Sequence, residues 1–296
     1  MEDRQRPRVA VLGAGLIGID LIDKIHRSPK LDLALVAGRR SSLGLYRAAE
    51  MGYATTAGGI DAVLADGPFD AVLDATNAES HAAHWAALSG AGSTLIDLTP
   101  TGLGTVIVPG VNGHQAAAHQ HLNLISCGGQ AAIPILHALA KLCTPTYIEV
   151  VSTGASASAG RATRLNLDQY IEVTSAAIRT FTGAAQAKVM VNLSPARPAP
   201  PFRVTMTVLA DEVHPARTGG AVRDAARAIR AWVPGFHVTS LAVDADRISV
   251  SVEVTATGSR LPRHAGSIDI INAAAVLIAE RSATVLRGRE PHPWTL

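Results

Sequence analysis

Long apolar runs and blocks of like charge are both missing from this sequence. The roughly 18 consecutive apolar residues that a membrane-spanning helix needs occur nowhere in the 296 residues. The net charge is only +2, and no run of basic residues predicts a nucleic-acid-binding tail or a membrane-surface patch. The first residues also lack the apolar segment of a secretory signal, so we expect a cytoplasmic protein.

Cysteine, aromatic residues and metal-ligand patterns are scarce as well. The two cysteines, Cys127 and Cys143, are too few for a disulfide framework, so each is interpreted as a single thiol. Hydrophobic residues make up 48% and aromatic residues 4%, which is typical of a compact enzyme packed by aliphatic side chains. His81 and His84 are three residues apart with no third ligand nearby, and we predict no metal site.

The chain divides into two parts by its strand and helix patterns. Up to Cys127, short apolar runs alternate with helical patterns, which predicts a doubly wound parallel sheet with helices on both faces. Its expected strands are residues 9–12, 31–37, 71–74, 94–98 and 122–126. Longer strand patterns follow at 147–152, 188–193, 202–210 and 247–255, with helices near 166–182 and 218–232. We expect an α/β protein with a parallel-sheet domain at 1–128, an α+β domain at 129–266, and a C-terminal helix within 267–296 that packs back on the first domain.

A glycine-rich motif directly follows the first expected strand and opens a helix. It reads GxGxxG, and its residues are Gly13, Ala14, Gly15, Leu16, Ile17 and Gly18. Glycines at these positions permit a tight turn and close approach of the backbone to a pyrophosphate, while the helix N-terminus supplies amides and a favourable dipole. The motif predicts a Rossmann domain that binds a nicotinamide dinucleotide, with an ordinary glycine-rich turn as the alternative.

The end of the second expected strand bears on the choice between NAD and NADP. An Asp or Glu about 20 residues beyond the glycines usually binds the ribose hydroxyls of NAD. This chain has Arg39 and Arg40 there, followed by two serines. Because a guanidinium pairs well with a 2′-phosphate, we hypothesise that the protein tolerates or prefers NADP. A pair of solvated surface arginines is the alternative.

Cys127 is the candidate nucleophile. It follows an apolar run and precedes Gly128, Gly129 and an apolar helix in which Pro134 is expected in the first turn. A thiol near a helix N-terminus is expected to have a lowered pKa, and the amides there can hold a developing oxyanion. The two glycines are interpreted as having no packing role, which favours catalysis over a core thiol. Cys143 is interpreted as a small buried hydrophobe.

Several strings resemble those of the acylating acetaldehyde dehydrogenases. The two most informative are LIDLTP at 95–100 and SCGGQAAIP at 126–134, and supporting matches lie at 73–76, 158–168, 183–188 and 265–270. The similarity runs nearly from end to end. Those enzymes convert an aldehyde, coenzyme A and NAD to an acyl-CoA, commonly in complex with a 4-hydroxy-2-oxovalerate aldolase.

The resemblance implies a fold and a role for particular residues. The expected fold is like that of glyceraldehyde-3-phosphate dehydrogenase, in a homo-oligomer whose second domain is catalytic and mediates dimerisation. Cys127 would be the acyl-thioester nucleophile, Asp168 its acid/base or orienting partner, and Ser267 would take the place of a cofactor-contacting Asn. The loop that closes over the dinucleotide would comprise Ser156, Ala157, Ser158, Ala159, Gly160, Arg161, Ala162, Thr163 and Arg164. An alternative for Asp168 is a carboxylate that stabilises a helix N-terminus.

Three departures from the family pattern indicate a divergent member. SAGPGTR has become SAGRATR at 158–164, the acidic segment after the second strand has become Gly38-Arg39-Arg40, and the AEPP loop has become ARPAPP at 196–201. We hypothesise an acyl group larger than acetyl and a physiological direction towards reduction of an acyl-CoA.

Two alternative functions stay open. One is an NADP-dependent phosphorylating semialdehyde dehydrogenase, in which Arg161 and Arg164 would bind phosphate. The other is a non-catalytic partner subunit of an aldolase.

Overall fold

The structure is a computed structural model that describes residues 6–211, 213–258 and 260–286, with 161, 162 and 283–286 described by their backbone alone. The described chain divides into two compact units. One contains the residues up to Leu124 and those from Asn272 onward, and the other is Ile125–Ile271.

The first unit is built on a seven-stranded parallel sheet with the order β3-β2-β1-β4-β5-β7-β6. Its strands are β1 Arg8–Leu12, β2 Asp32–Ala37, β3 Thr55–Thr56, β4 Ala71–Asp74, β5 Thr94–Asp97, β6 Thr105–Val106 and β7 His121–Asn123. Its helices are α1 Leu16–Arg27, α2 Leu43–Glu50, α3 Gly59–Asp66, α4 Ala78–Leu88 and the single turn α5 Pro109–Asn112, followed by a 3₁₀ helix at Gly113–Ala118. A buried apolar cluster that includes Leu12, Phe69 and Leu95 forms part of the core, because strands covered on both faces carry continuous apolar runs.

The second unit carries a five-stranded mixed sheet with the order β11-β12-β10-β8-β9. Its strands are β8 Thr144–Ala155, β9 Gln186–Ser194, β10 Phe202–Asp211, β11 Phe236–Val243 and β12 Arg247–Val254, and its helices are α6 Cys127–Ala140, α7 Arg161–Leu165, α8 Leu167–Thr182 and α9 Pro215–Arg230. Only the β8–β9 pair is parallel. In β10, buried Val204, Met206 and Val208 alternate with Arg203 and half-buried threonines, so one face of the sheet packs on the core.

The helix α10, Gly266–Leu286, runs from the second unit into the first. Within the first unit, Asn272 donates from Nδ2 to Asp20 Oδ2 at 2.8 Å and to the carbonyl of Ile17 at 2.9 Å. These bonds attach the C-terminal helix to α1. Within the described residues, no helix is both long enough and apolar enough to cross a bilayer.

Several local expectations were wrong, and the two-residue strands β3 and β6 were missed. The strand expected at 122–126 ends at Asn123, because Ile125 has φ of 62° and turns the chain out of the extended conformation before α6. Since α6 begins at Cys127, Pro134 lies in its middle rather than in its first turn. The edge strand β11 was missed, because exposed residues break its apolar alternation.

Candidate active site

The glycine-rich loop joins β1 to α1, as the motif predicted. Gly13 has φ of 103°, and a Cβ there would lie 2.7 Å from the carbonyl oxygen of Ala75. A Cβ on Gly18 would lie 1.9 Å from the carbonyl oxygen of Gly13. Both positions therefore require glycine for close packing.

Gly15 differs from the other two glycines because a Cβ there would meet nothing within 4 Å. It is the N-cap of α1. Because glycine has no side chain, no capping hydrogen bond from this residue reaches the helix amides. The amides at this helix start are thus suited to an anionic group that approaches the open side of Gly15. Ala14, Leu16 and Ile17 complete the same loop and first turn.

Arg39 and Arg40 lie directly after β2, and both are exposed. The amide of Gly13 donates to the carbonyl of Ala37 at 2.8 Å, which fixes the glycine-rich loop beside the end of this strand. Ser42 begins α2, where its Oγ accepts from the amide of Leu45 at 3.3 Å. The two guanidiniums therefore follow the strand end that the sequence predicted.

Cys127 is the first residue of α6, and its side chain is half-buried. The hydroxyl oxygen of Tyr170, from α8, lies 3.6 Å from Cys127 Sγ. The same oxygen accepts from the amide of Gly128 at 2.9 Å, and the hydroxyl donates to Ser152 Oγ on β8 at 3.5 Å. The nucleophile candidate thus touches a buried, uncharged hydroxyl.

Ser126 is the N-cap of α6 and links this helix to α8. Its Oγ accepts from the amide of Gly129 at 3.0 Å and lies 2.7 Å from Thr174 Oγ1. The hydroxyl of Thr174 also bonds to the carbonyl of Tyr170 at 2.6 Å. These bonds hold the start of α6 against the turn of α8 that carries Tyr170.

Gly128 has a packing role that the sequence analysis denied. A Cβ at this position would lie 2.3 Å from both Ser152 Oγ and Tyr170 Oη. No real Cβ tolerates such a distance, so the backbone of α6 approaches the two hydroxyls this closely only because residue 128 is glycine. The interpretation that these glycines have no packing role was therefore wrong.

The prediction of a lowered pKa for Cys127 was also wrong. Burial raises the pKa of the thiol, and the opposing effects of the Tyr170 hydroxyl and of the backbone amides of Cys127 and Gly128 are smaller. The helix N-terminus therefore does not outweigh desolvation of the thiolate. Burial also raises the pKa of Tyr170 far above that of an ordinary tyrosine, so its hydroxyl stays protonated.

Comparison with known proteins identifies the family. Residues 127–262 match a family described as prokaryotic acetaldehyde dehydrogenase, dimerisation. An acetaldehyde dehydrogenase from Streptomyces griseus is 49% identical over 276 residues, which cover 93% of this chain and 90% of that protein. One from Geobacillus stearothermophilus is 39% identical over 281 residues, which cover 93% of this chain and 96% of that protein. The chain belongs to the acetaldehyde dehydrogenase family.

This membership confirms the family and the enzyme class that the sequence motifs predicted. Among solved structures, aspartate semialdehyde dehydrogenase II from Vibrio cholerae, complexed with ASA, matches with a TM-score of 0.63 and 14% identity, covering 95% of this chain and 99% of that one. That likeness concerns the fold alone, and it confirms the predicted fold class.

Asp168 is exposed in the first turn of α8. Its position suits the alternative of a carboxylate that interacts favourably with a helix N-terminus. The hydroxyl that touches Cys127 comes instead from Tyr170, two residues further along the same helix. The role that the acetaldehyde dehydrogenase resemblance gives Asp168 stays a prediction.

The segment at 156–164 forms a 3₁₀ turn at Ser156–Ser158 and the start of α7. Arg164 holds this segment together, because its guanidinium donates to the carbonyl and Oγ of Ser156 at 2.9 and 2.8 Å and to the carbonyl of Ala159 at 3.3 Å. Two of its three guanidinium nitrogens, Nε and Nη2, thus donate to the loop itself. The side chains of Arg161 and Ala162 lie outside the described residues.

Ser267 and Cys143 are two further residues with roles predicted from the sequence. Ser267 is half-buried in the first turn of α10, and its contact with a cofactor stays a prediction. Cys143 is half-buried just after α6, where Sγ bonds to the carbonyl of Leu139 at 3.4 Å, so it is less buried than expected. Within the described residues, no group of three or more His, Cys, Asp or Glu is arranged to hold a metal ion.

A second buried polar cluster lies in the first unit. Asp74, at the end of β4, accepts at Oδ2 from Nδ1 of His81 and of His84, each at 2.8 Å. His81 Nε2 lies 2.8 Å from His121 Nε2 and 3.3 Å from Asp97 Oδ2. Asp74, His81 and Asp97 are fully buried.

The charges in this cluster compensate one another. Burial opposes ionisation of Asp74, but hydrogen bonds from His81 and His84 lower its pKa to about 2. Burial opposes protonation of His81, yet its hydrogen bond to Asp74 and the charge of Asp97 raise its pKa. Burial and the charge of His81 lower the pKa of His121 to about 4. The contacts with Asp74 and Asp97 therefore favour the protonated form of His81, whereas the ring of His121 is neutral near neutral pH.

The same cluster holds the loop beside the glycine-rich motif. Asp74 Oδ1 accepts from the amide of Thr76 at 3.0 Å and from its hydroxyl at 2.5 Å. Between these two residues is Ala75, whose carbonyl oxygen is the atom that a Cβ on Gly13 would meet. The histidines of α4 thus fix the position of a segment that contacts the glycine-rich motif.

Sequence reasoning missed Tyr170, Ser152 and the histidine–carboxylate cluster. Tyr170 has one detectable signal, since it shares the buried face of α8 with Thr174, Ala177 and Ile178 at helical spacing. That pattern predicts a buried tyrosine, but not which atom its hydroxyl contacts 43 residues away in the sequence.

Proposed function

We propose that this chain is a CoA-acylating aldehyde dehydrogenase, which interconverts an aldehyde and its acyl-CoA through a thioester on Cys127. The main support is the position of Cys127, which is half-buried at the start of α6 and contacts the neutral hydroxyl of Tyr170. The chain also belongs to the acetaldehyde dehydrogenase family. A thiol at a helix start beside a hydrogen-bond donor is suited to add to a carbonyl group.

The reaction divides into two halves on the same sulfur: oxidation of the aldehyde to a thioester, and transfer of the acyl group to CoA. Sγ of the Cys127 thiolate forms a bond to the aldehyde carbon, and the carbonyl oxygen takes up the negative charge. A bound nicotinamide supplies the acceptor for the hydride that must leave this carbon. The resulting thioester is attacked by the CoA thiolate, so that the bond from carbon to Cys127 Sγ breaks and the enzyme thiolate is restored. In the reverse direction an acyl-CoA is reduced to an aldehyde.

The glycine-rich loop is the proposed site for the pyrophosphate of NAD or NADP. The fit is supported by Gly13, where a Cβ would collide with Ala75, and by the open approach to Gly15. Exposed Arg39 and Arg40 support acceptance of a 2′-phosphate. Steady-state kinetics with both dinucleotides test this proposal: a strong preference of the wild type for NAD would exclude the NADP hypothesis, whereas selective loss of NADP turnover in the Arg39→Ala, Arg40→Ala double variant would support it.

CoA is proposed as the acyl acceptor rather than phosphate. A phosphorylating enzyme would use Arg161 and Arg164 to bind phosphate, but Nε and Nη2 of Arg164 already donate to Ser156 and Ala159. We expect aldehyde-dependent reduction of the dinucleotide to require CoA and to gain nothing from phosphate. Turnover with phosphate alone would favour the semialdehyde dehydrogenase alternative.

The acyl group is proposed to be larger than acetyl, with acyl-CoA reduction as the physiological direction. Support comes from the three departures from the family pattern, at Gly38–Arg40, 158–164 and 196–201. Values of kcat/KM for acetyl-CoA and for aromatic and longer acyl-CoA thioesters test this, and a clear preference for acetyl-CoA would refute it.

Asp168 is proposed as the acid/base or orienting partner, on the strength of the family resemblance. The Asp168→Asn variant is expected to lose kcat with little change in KM for the dinucleotide. Glu172→Gln, at another exposed position of α8, is the matched control. Equal activity of the two variants would leave Asp168 with only its helix-start role.

We also propose a homo-oligomer that uses the outer face of the five-stranded sheet. That face carries half-buried small polar side chains, and Thr205 Oγ1 lies 3.0 Å from Ser251 Oγ across β10 and β12. The description of the matching family as a dimerisation region agrees with this proposal. Light scattering after size exclusion measures the assembly, and mixing with a 4-hydroxy-2-oxovalerate aldolase in the same column tests the predicted aldolase partner.

A further inference from the structure

The start of α6 presents a continuous chain of hydrogen-bond donors that ends at the sulfur of Cys127. The amide of Gly128 donates to Tyr170 Oη at 2.9 Å, and that hydroxyl lies 3.6 Å from Cys127 Sγ. A hydroxyl that accepts from an amide becomes a better donor, because each bond polarises the next. The chain therefore extends the positive end of α6 through an oxygen atom to the thiol.

The amides of Cys127 and Gly128 at this helix start favour the thiolate, and the two amides that follow are engaged elsewhere. The amide of Gly129 donates to Ser126 Oγ at 3.0 Å, and that of Gln130 donates to the Ser126 carbonyl at 2.9 Å. Gly128 donates to Tyr170. A negative charge on the sulfur or on a carbonyl oxygen bound to it therefore finds its side-chain donor in the Tyr170 hydroxyl.

We propose that Tyr170 is a catalytic residue whose hydroxyl donates to the Cys127 thiolate and turns away from it, towards Ser152, when the sulfur is protonated. This inference rests on the proposed function, since it assigns a donor to the same nucleophile. The two acceptors lie at nearly equal distances from Tyr170 Oη, 3.6 Å for Cys127 Sγ and 3.5 Å for Ser152 Oγ. A single proton on the hydroxyl can serve only one of them at a time.

The environment of the hydroxyl explains why a tyrosine suits this position. Burial disfavours any charge here and raises the pKa of Cys127, so a neutral donor that approaches the sulfur offsets part of the cost of desolvating the thiolate. Tyr170 keeps its own proton, because its pKa is raised far above the ordinary range. Glycine at position 128 leaves the space that the hydroxyl occupies, since a Cβ there would lie 2.3 Å from Tyr170 Oη.

The test is the pH dependence of iodoacetamide alkylation at Cys127, followed on the peptide by mass spectrometry so that Cys143 does not interfere. Tyr170→Phe keeps the ring and removes the hydroxyl. We expect the apparent pKa of Cys127 to rise by about one unit, with about tenfold slower alkylation at pH 7. Tyr147→Phe is the matched control, because it removes a hydroxyl that bonds to Glu149 in the same unit, and we expect it to leave the alkylation profile unchanged.

Ser152→Ala makes the test independent of whether Tyr170→Phe folds. Without Ser152 the hydroxyl loses its alternative acceptor, so we expect the apparent pKa of Cys127 to fall. An unchanged pKa in both Tyr170→Phe and Ser152→Ala would overturn the inference, as would shifts in the reverse directions. Failure of the proposed function gives a different result: either the wild type has no CoA-dependent aldehyde oxidation, or Cys127→Ala retains it, whatever the alkylation profiles show.

Discussion

The two buried polar clusters of this protein differ in how they offset the cost of removing a charged group from water. Around Cys127, the hydrogen-bonding groups are neutral hydroxyls: Tyr170 lies against the sulfur and bonds in turn to Ser152, and the thiol pKa is raised. Around Asp74, each buried charge has an opposite charge within hydrogen-bond distance, and the carboxyl pKa falls to about 2. The first cluster leaves a group that can gain or lose charge during a reaction, whereas the second fixes its charges in place.

Under the proposed function, this difference separates a reactive site from a positioning one. A nucleophile that must alternate between thiolate and thioester gains from donors that cost little in either state. A fixed ion network gains from complete pairing, and removing one partner leaves the others as uncompensated buried charges. Changes near Cys127 should therefore affect rates, and changes near Asp74 should affect stability first.

The largest expected effect is on turnover. Cys127→Ala should abolish CoA-dependent aldehyde oxidation, with a loss of at least about 10³-fold, because the covalent route disappears. The melting temperature should stay close to that of the wild type, since alanine fits wherever the thiol does. Substantial residual turnover would contradict a covalent role for Cys127.

Gly128→Ala tests the contact between Tyr170 and Cys127 at the same site. The new Cβ would lie 2.3 Å from Tyr170 Oη and Ser152 Oγ, so the donor must move and kcat should fall about 10²-fold. Overpacking should also reduce the free energy of unfolding by about 1–3 kcal/mol.

Gly220→Ala is the control for that change. Gly220 lies in α9, and a Cβ there would meet nothing within 4 Å. The substitution should keep wild-type activity and stabilise the helix by about 0.5–1 kcal/mol. Equal kcat for the two glycine variants would show that the Tyr170 contact is not needed.

The buried charge cluster should respond to Asp74→Ala mainly through stability. Loss of this carboxylate leaves His81 and His84 without their common acceptor, which should cost about 3–5 kcal/mol in the free energy of unfolding. Asp224→Ala, at an exposed pair with Arg227, should leave the unfolding midpoint in urea unchanged. Similar midpoints for both variants would mean that the buried pairs contribute no more than surface ones.

The sequence predicts the scaffold of both regions better than their contacts. GxGxxG after a strand and a Cys at a strand-to-helix junction are local patterns, so the dinucleotide loop and the nucleophile candidate could be located from them. The pKa of Cys127 could not be predicted, because burial and the hydroxyl of Tyr170 come from distant segments. His81 and His84 were dismissed as metal ligands for lack of a third ligand, although their acceptor Asp74 lies only 7 and 10 positions away.

The pH dependence of stability should show a smaller effect than the loss of Asp74. Burial raises the pKa of Asp97 to about 6, compared with about 3.9 in an unfolded chain. Between these values the folded state binds more protons than the unfolded state, so the contribution of Asp97 to the free energy of unfolding falls as pH rises from about 4 to about 6. Relative to Asp97→Asn, the wild type should lose on the order of 2 kcal/mol across this window.

Urea titrations at pH 4.5 and 7 measure that change, and Asp246→Asn at an exposed position is the control. Parallel pH curves for the wild type and Asp97→Asn would contradict the assignment of a raised pKa to Asp97.

The proposed function requires that the acyl group is bound covalently to the sulfur of Cys127 during the reaction. Its most direct test is intact-protein and peptide mass spectrometry after the wild type is incubated with acyl-CoA thioesters in the absence of reduced dinucleotide. We expect a single added acyl mass on the Cys127 peptide that is lost on addition of free CoA and is absent in Cys127→Ala. An unmodified Cys127 peptide in a preparation that turns over the same acyl-CoA would contradict it.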